Sequence, residues 1–273
     1  MEYIKGRDNL ACTIFIPVVC GNNCPFCNTR QMYDGFTLTE DKINKTISWI
    51  RKLNNTDFIH EFVISGGEPF ADLSVLKRIV SECRKNVFIN TSLPVSEDID
   101  DVIDYINTCD IIKGINISRH LLHKHERKVC DTQIFDRIEK PIRINCIVNE
   151  DNFSIDTVNS MVSEYCNEYR MLNLRADYRT ITDANLKTRD FIVNDMLEHY
   201  KFEGANSCLV CNSMFFSKDE KYVICYHRGV EHSAVRTKSK TYINDVIIDI
   251  NGDIYPDWEM EREEDFIRFI DTL

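Results

Sequence analysis

The stretch Ala11-Cys-Thr-Ile-Phe-Ile-Pro-Val-Val-Cys20-Gly-Asn-Asn-Cys24-Pro-Phe-Cys27 decides the fold. It begins as an apolar, β-branched run with no helical period and passes directly into a loop of glycine, asparagine and proline that carries three cysteines. The pattern recurs at 61–69, where an apolar run breaks at Ser65-Gly66-Gly67-Glu68-Pro69. Working outward, β-branched runs at 11–17, 61–65, 86–91, 112–117, 141–148 and 170–176 alternate with amphipathic stretches such as Ile43, Ile47, Ile50 and Leu76, Ile79, Val80. Thr39 and Ser96, each followed by acids, read as helix starts. This alternation predicts an α/β fold of repeated β-α units around a parallel sheet. Six units fall short of the eight in a closed barrel, so the expectation for residues 1–200 is a partial (βα)6 TIM-type barrel.

After residue 201 the rhythm changes. Met214-Phe215-Phe216, Tyr222-Val223-Ile224 and residues 243–250 read as short strands, and Asn251-Gly252 as a hairpin turn before Ile254-Tyr255. Residues 201–273 are therefore expected to form a small, β-rich, metal-binding appendage packed on the barrel. The acidic run from Asp257 to Asp265 reads as a charged helix start with a packing role.

At 273 residues, 43% hydrophobic and 28% charged, the chain is long enough for one substantial core and too ordered in pattern for a disordered segment or a coiled coil. Its longest apolar runs fall well short of the roughly 20 residues that cross a bilayer, and no secretory leader is read at its start. The expected setting is soluble and cytoplasmic. A net charge of −11 argues against a broad basic face for duplex nucleic acid.

Twelve cysteines in a reducing compartment point to metal or redox chemistry rather than a disulfide framework. Six are scattered singly among apolar residues and read as small hydrophobes. Cys20, Cys24 and Cys27 lie together on one loop, and thiolates favour soft metals. A cubane iron-sulfur cluster takes one cysteine per iron, so three local cysteines leave one iron open to a ligand. Zinc is the alternative for the triplet taken alone. In a parallel β-α fold the carboxyl ends of the strands converge, so the glycine turn at 66–67 should face the cysteine loop, with Glu68 as an acceptor suited to an ammonium group.

On these two motifs residues 10–200 resemble the radical S-adenosylmethionine (radical SAM) superfamily. The resemblance implies a [4Fe-4S] cluster on Cys20, Cys24 and Cys27 with S-adenosyl-L-methionine on the open iron. Backbone at Gly66, Gly67 and Glu68, ahead of Pro69, would receive the amino group, and Phe26 would pack near the adenine. By their place in the order of strands, Asn90, Thr91, Ser118 and Asn145 would touch the ribose and carboxylate. The resemblance further implies reductive cleavage of the cofactor, a reducing partner such as flavodoxin or ferredoxin, and a small-molecule, nucleotide or peptide substrate.

Cys208-Leu-Val-Cys211, then Cys225 and His227, form a second constellation. It reads as a structural zinc site, as a second iron-sulfur cluster, or as no metal site. Its spacing is similar to that of the GTP cyclase of molybdenum-cofactor synthesis and, more loosely, of members with Twitch- or SPASM-type auxiliary clusters. The cyclase's Asn-Arg-x-Arg is here Asn212-Ser213-Met214-Phe215, so the guanidinium clamps for a triphosphate are absent. His227 with Arg228, and His120, His123 and His125 beside Arg119 and Lys124, read either as groups acting on a proton or an anion or as solvated loops. Two further alternatives are a single-cluster synthase or activating enzyme with zinc at the C-terminal site, and a non-catalytic zinc module.

Overall fold

The computed structural model describes residues 2–27, 29–121, 128–149, 151–177, 185–206, 213–220, 222–227 and 234–273, with backbone alone at 185–190 and 222. The elements are β1 (Glu2–Lys5), β2 (Ala11–Ile16), a 3-10 turn (Arg30–Tyr33), α1 (Glu40–Asn54), β3 (Glu61–Gly66), α2 (Leu73–Val80), β4 (Asn86–Thr91) and α3 (Ile99–Thr108). There follow β5 (Ile112–Ser118), α4 (Thr132–Phe135), β6 (Ile142–Val148), α5 (Ile155–Tyr165), β7 (Arg170–Ala176) and α6 (Asn185–His199). The remainder is β8 (Lys201–Ala205), β9 (Ser213–Lys218), β10 (Tyr222–His227), β11 (Val235–Arg236), β12 (Lys240–Ile243), β13 (Val246–Ile248), β14 (Ile254–Tyr255) and α7 (Glu264–Thr272).

The six strands expected between residues 11 and 176 form within a residue or so of their predicted bounds. Thr39 caps α1 as expected, its side chain accepting from Lys42 N. Ser96 does not cap α3: the helix starts later, with Asp98 at the cap position, and Ser96 offers only its carbonyl to Ile99 N. The run at 243–250 is broken at Asn244-Asp245 into β12 and β13, which lie in different sheets.

The large sheet has the order β14-β13-β2-β3-β4-β5-β6-β7-β10-β9-β8. From β13 through β10 its strands run parallel, and antiparallel strands finish both sides. β14 and β8 are its edges, so the sheet is not closed. Among the described residues, those beyond 201 do not form a sheet of their own beside the core. β13 pairs with β2 and β10 pairs with β7, which extends the parallel array past six strands in both directions. Without them β2 and β7 would present rows of unpaired peptide groups. The remaining strands, β1, β12 and β11, make a small separate sheet.

Strand alternation separates two faces. Phe62, Ile64, Val87, Ile89, Ile115, Ile117, Ile144, Leu172, Leu174 and Ile224 are buried against the helical layer, where α1 inserts Ile43, Ile47, Ile50 and Leu53. The opposite face carries Ser65, Asn90, Asn116, Ser118, Asn145, Asn173 and Cys225 in the same alternating phase. Asp257 in the acidic tail is fully buried and accepts from Ala234 N at 3.0 Å and from the Arg236 guanidinium at 3.0 Å, so this part of the tail packs rather than solvates. Among the described residues no helix is long and apolar enough to cross a membrane.

Candidate metal and cofactor site

The cysteine loop leaves β2 at Ile16 and lies directly against the glycine turn that ends β3. A Cβ on Gly67 would overlap the carbonyl oxygen of Val18 and come within 3.3 Å of Cys20 N. Gly66 has φ +96°, and a Cβ there would overlap the Tyr33 hydroxyl and lie 3.0 Å from Phe15 Cα. The two glycines were expected to let backbone approach a ligand. In the structure their lack of side chains is used first to seat the cysteine loop on the strand end.

Within the loop, Cys27 N donates to Cys24 O at 3.1 Å and Asn22 N lies 3.4 Å from Cys20 Sγ. Cys27 Sγ is 3.5 Å from Thr29 Oγ1. Cys20 and Cys24 are half-buried and Cys27 is exposed. Among the described residues no three thiol, imidazole or carboxylate groups converge into a ready-made cage, this triplet included. What the fold supplies is three thiols on one loop, seated against the neighbouring strand end.

Glu68 departs from its expected role. Its side chain is 2% exposed, and both carboxylate oxygens are taken. Oε1 accepts from Phe70 N at 3.2 Å and from Thr91 Oγ1 at 2.5 Å. Oε2 accepts from Ser92 N at 2.8 Å and Ser92 Oγ at 2.5 Å. Four donors fill the capacity of a carboxylate, so the side chain locks the ends of β3 and β4 together instead of offering an acceptor to an ammonium group. Asn22 extends the lock to the cysteine loop, its Nδ2 donating to Ser92 Oγ at 3.2 Å. Pro69 is buried at the start of the short 3-10 turn that follows.

The four strand-end residues nominated for ribose and carboxylate divide. Thr91 is turned to Glu68 and also receives Leu93 N at 2.7 Å, so its hydroxyl is committed internally. Asn90, Ser118 and Asn145 lie on the opposite face. Asn90 Nδ2 donates to Ser65 Oγ at 3.1 Å and its Oδ1 accepts from Asn116 Nδ2 at 2.7 Å. Asn145 Oδ1 accepts from Asn173 Nδ2 at 2.6 Å. Asn116 and Asn173 were missed in the sequence; each alternates with buried neighbours, Ile115 and Ile117 or Leu172 and Leu174, and that alternation is the signal that puts them on the face where they pair in register with Asn90 and Asn145 of the adjacent strands. Register places Ser118, Asn145, Asn173 and Cys225 in one row across four strands.

Phe26 is buried, its ring centroid 4.4 Å from that of His120 in an edge-on contact. His120 Nδ1 accepts from Ile147 N at 3.2 Å, which places the ring proton of the neutral form on Nε2. His120 is thus packed into the site rather than on a solvated loop. Arg119 is also not a rim cation. It is 7% exposed and donates to the carbonyls of Ser92 (2.8 Å), Ser118 (2.6 Å) and Cys130 (2.6 Å). Burial holds its guanidinium below the ordinary value, and its charge is spent on drawing the ends of β4 and β5 together.

Of the second constellation, Cys225 is buried in β10 and His227 lies two residues on, on the same face. His227 Nδ1 is 2.8 Å from Ser213 Oγ on the paired strand β9. Cys208 and Cys211 lie outside the described residues, as do His123, Lys124, His125 and Arg228.

No curated protein matches the chain. Among solved structures it is similar to polyhistidine-tagged anSMEcpe with bound AdoMet, at 15% identity and a TM-score of 0.48, over 70% of this chain. The chain spans 62% of that protein's length. Residues 6–118, which hold the cysteine loop, the glycine turn and the Glu68 lock, match the family model of the 4Fe-4S single cluster domain.

Proposed function

We propose that the chain is a radical SAM enzyme built on an open, partial-barrel sheet. One observation carries this reading: the loop of Cys20, Cys24 and Cys27 is seated on the Gly66-Gly67 turn, close enough that Gly67 can bear no side chain. The donor set fits an iron-sulfur cluster with one iron left open, and the match over 6–118 supports the same centre. Cys20, Cys24 and Cys27 would hold the cluster. The backbone of Gly66, Gly67 and Glu68 would receive the amino group of S-adenosylmethionine, with Phe26 on the adenine side and Asn90, Ser118 and Asn145 facing the ribose and carboxylate. When bound, these groups together supply reductive cleavage of a sulfonium bond and hydrogen-atom abstraction from a substrate.

The protein's own contribution is position and a shielded face. Glu68, Ser92 and Arg119 hold the strand ends in fixed relation, and the amide row offers neutral hydrogen-bonding groups to a small-molecule, nucleotide or peptide substrate. Cys208, Cys211, Cys225 and His227 would hold a second iron-sulfur cluster or a zinc ion. A flavodoxin or ferredoxin would supply the electron, in a reducing, cytoplasmic setting suited to twelve cysteines.

The test is anaerobic reconstitution followed by dithionite and S-adenosylmethionine. Release of 5′-deoxyadenosine that Cys20→Ala abolishes is the expected result. About four irons per chain indicate one cluster and about eight indicate two. Stoichiometric zinc at the N-terminal loop, with no 5′-deoxyadenosine from iron-loaded protein, would end the proposal.

A further inference from the structure

Asn173, in the middle of β7, is left a bond short. The residue is 3% exposed, and among the described residues its buried Oδ1 has no hydrogen-bond partner. A buried acceptor without a donor is destabilising, so this oxygen calls for a donor from outside the chain. Its Nδ2 is committed, donating to Asn145 Oδ1 at 2.6 Å across the β6–β7 pairing. Two facing amides can close a ring of two such bonds. Here one forms, and Asn145 Nδ2 has no acceptor among the described residues. Turning both amides over exchanges the roles and leaves the same count, one donor and one acceptor open. The pair lies on the face opposite the helical layer, since Asn173 alternates with Leu172 and Leu174, and Asn145 with Ile144 and Cys146, all buried.

An open donor beside an open acceptor selects the chemistry of its occupant. A carboxylate presents acceptors only and sets an oxygen against Asn173 Oδ1. An ammonium presents donors only, and it meets Arg143 and Arg175, which stand two residues away on the same face of the same strands. A carboxamide presents both. We propose that Asn173 and Asn145 are the specificity-determining pair for a carboxamide group of the substrate: its N–H donates to Asn173 Oδ1 and its carbonyl accepts from Asn145 Nδ2. The second Nδ2 hydrogen of Asn145 remains for the cofactor oxygen that it faces. An adenine edge carries the same donor beside an acceptor, which makes the cofactor itself the other source of this chemistry. Strand order favours the substrate, because β7 lies five places from β2, the strand that feeds the cysteine loop. That the occupant is a substrate rests on the radical SAM reading above, whereas the open amide pair does not.

The probes are benzamide, benzoate and benzylamine, which share a ring and differ in the polar group. On reconstituted full-length protein with S-adenosylmethionine in excess, ligand-observed NMR titration should show benzamide bound about 5-fold or more tightly than either analogue, the scale of one buried hydrogen bond left unmade. Asn173→Leu keeps the bulk and removes both polar atoms, and it should abolish that preference; a preference that survives overturns the proposal. If the leucine variant does not fold, Asn173→Asp decides. A carboxylate there takes donors only, so the preference should pass to benzylamine, and an unchanged preference for benzamide overturns the proposal. Equal binding of the three probes by the wild type, or none, overturns it as well, with water alone serving Asn173 Oδ1. Titration without the cofactor reads the source: benzamide that binds only then, and is displaced when S-adenosylmethionine is added, gives the pair to adenine and overturns the substrate assignment. Protein that binds no S-adenosylmethionine yet keeps its selectivity for benzamide sinks the enzyme reading and supports the amide pair as a carboxamide site.

Discussion

Ser92 Oγ lies 2.5 Å from Glu68 Oε2 and receives Asn22 Nδ2 at 3.2 Å, so a single hydroxyl joins the acid that follows β3 to the cysteine loop. Glu68→Gln replaces one oxygen of a fully occupied carboxylate by a donor facing donors. The variant should lose about 2–4 kcal/mol in urea unfolding, because at least two charge-assisted bonds are lost in a buried setting. Glu68→Asp should also be destabilised, since the shorter stem cannot span to Phe70, Thr91 and Ser92 together. Stability within experimental error of wild type in both would show that the lock contributes nothing.

Gly67→Ala places a methyl on the Val18 carbonyl; a Cβ has no rotamer and the atom it meets is backbone, so no side-chain movement relieves the overlap. The cysteine loop must lift. Iron bound after reconstitution should fall by about half or more, with an unfolding cost of about 1–3 kcal/mol or higher. Gly35→Ala, where nothing lies within 4 Å of the added Cβ, is the control for backbone strain without overlap, as its φ is +68°. Its iron content should match the wild type.

Arg119→Lys retains a cation and loses the planar fork that reaches three carbonyls. A lysine cannot span Ser92, Ser118 and Cys130 at once, so at least one buried carbonyl is left without its donor. The expected loss is about 2–3 kcal/mol, measured by thermal or urea unfolding.

Asp245 supplies a pH dependence. It is buried, receives Trp258 Nε1 at 2.9 Å, lies 3.7 Å from Arg7 Nη2 and feels Arg175 from β7. Burial outweighs these partners and raises its carboxyl from 3.8 to about 6. The folded state therefore holds a proton that the unfolded state releases between these values, and the stability this confers at acid pH is lost as pH rises from about 4 to 6. At pH 7 the ionised group costs up to about 3 kcal/mol. Asp245→Asn keeps an acceptor for Trp258 and removes the charge. Its advantage over wild type in urea unfolding should be near zero at pH 4 and grow toward about 2–3 kcal/mol at pH 7. A difference that stays flat across that range would contradict the assignment.

The central strands were legible because their residues are β-branched and their breaks are marked by glycine, proline and asparagine, signals that are local. β10 and β13 were visible as strands but not as members of the main sheet. Cys12 pairs with Val246 and Asn173 with Cys225, and no local signal reports partners so far apart in sequence. The site divides in the same way. The two motifs announce themselves by spacing, whereas the inward use of Glu68 depends on Thr91 and Ser92 arriving from the next strand. Tyr33 sits in a turn without periodicity, and nothing nearby distinguishes it from the neighbouring aromatics. Asn116 and Asn173 needed only the alternation already used to find the strands.

The pairing of β2 with β13 sets an order on biogenesis. The segment that bears the cysteine loop has β3 on one side early in translation, but its other neighbour, Val246–Ile248, leaves the ribosome more than two hundred residues later. Until then the outer edge of β2 is exposed and available for mispairing with other nascent chains. If the loop takes up iron as proposed, its loading would accordingly be best timed after release of the polypeptide, when β13 has paired with β2.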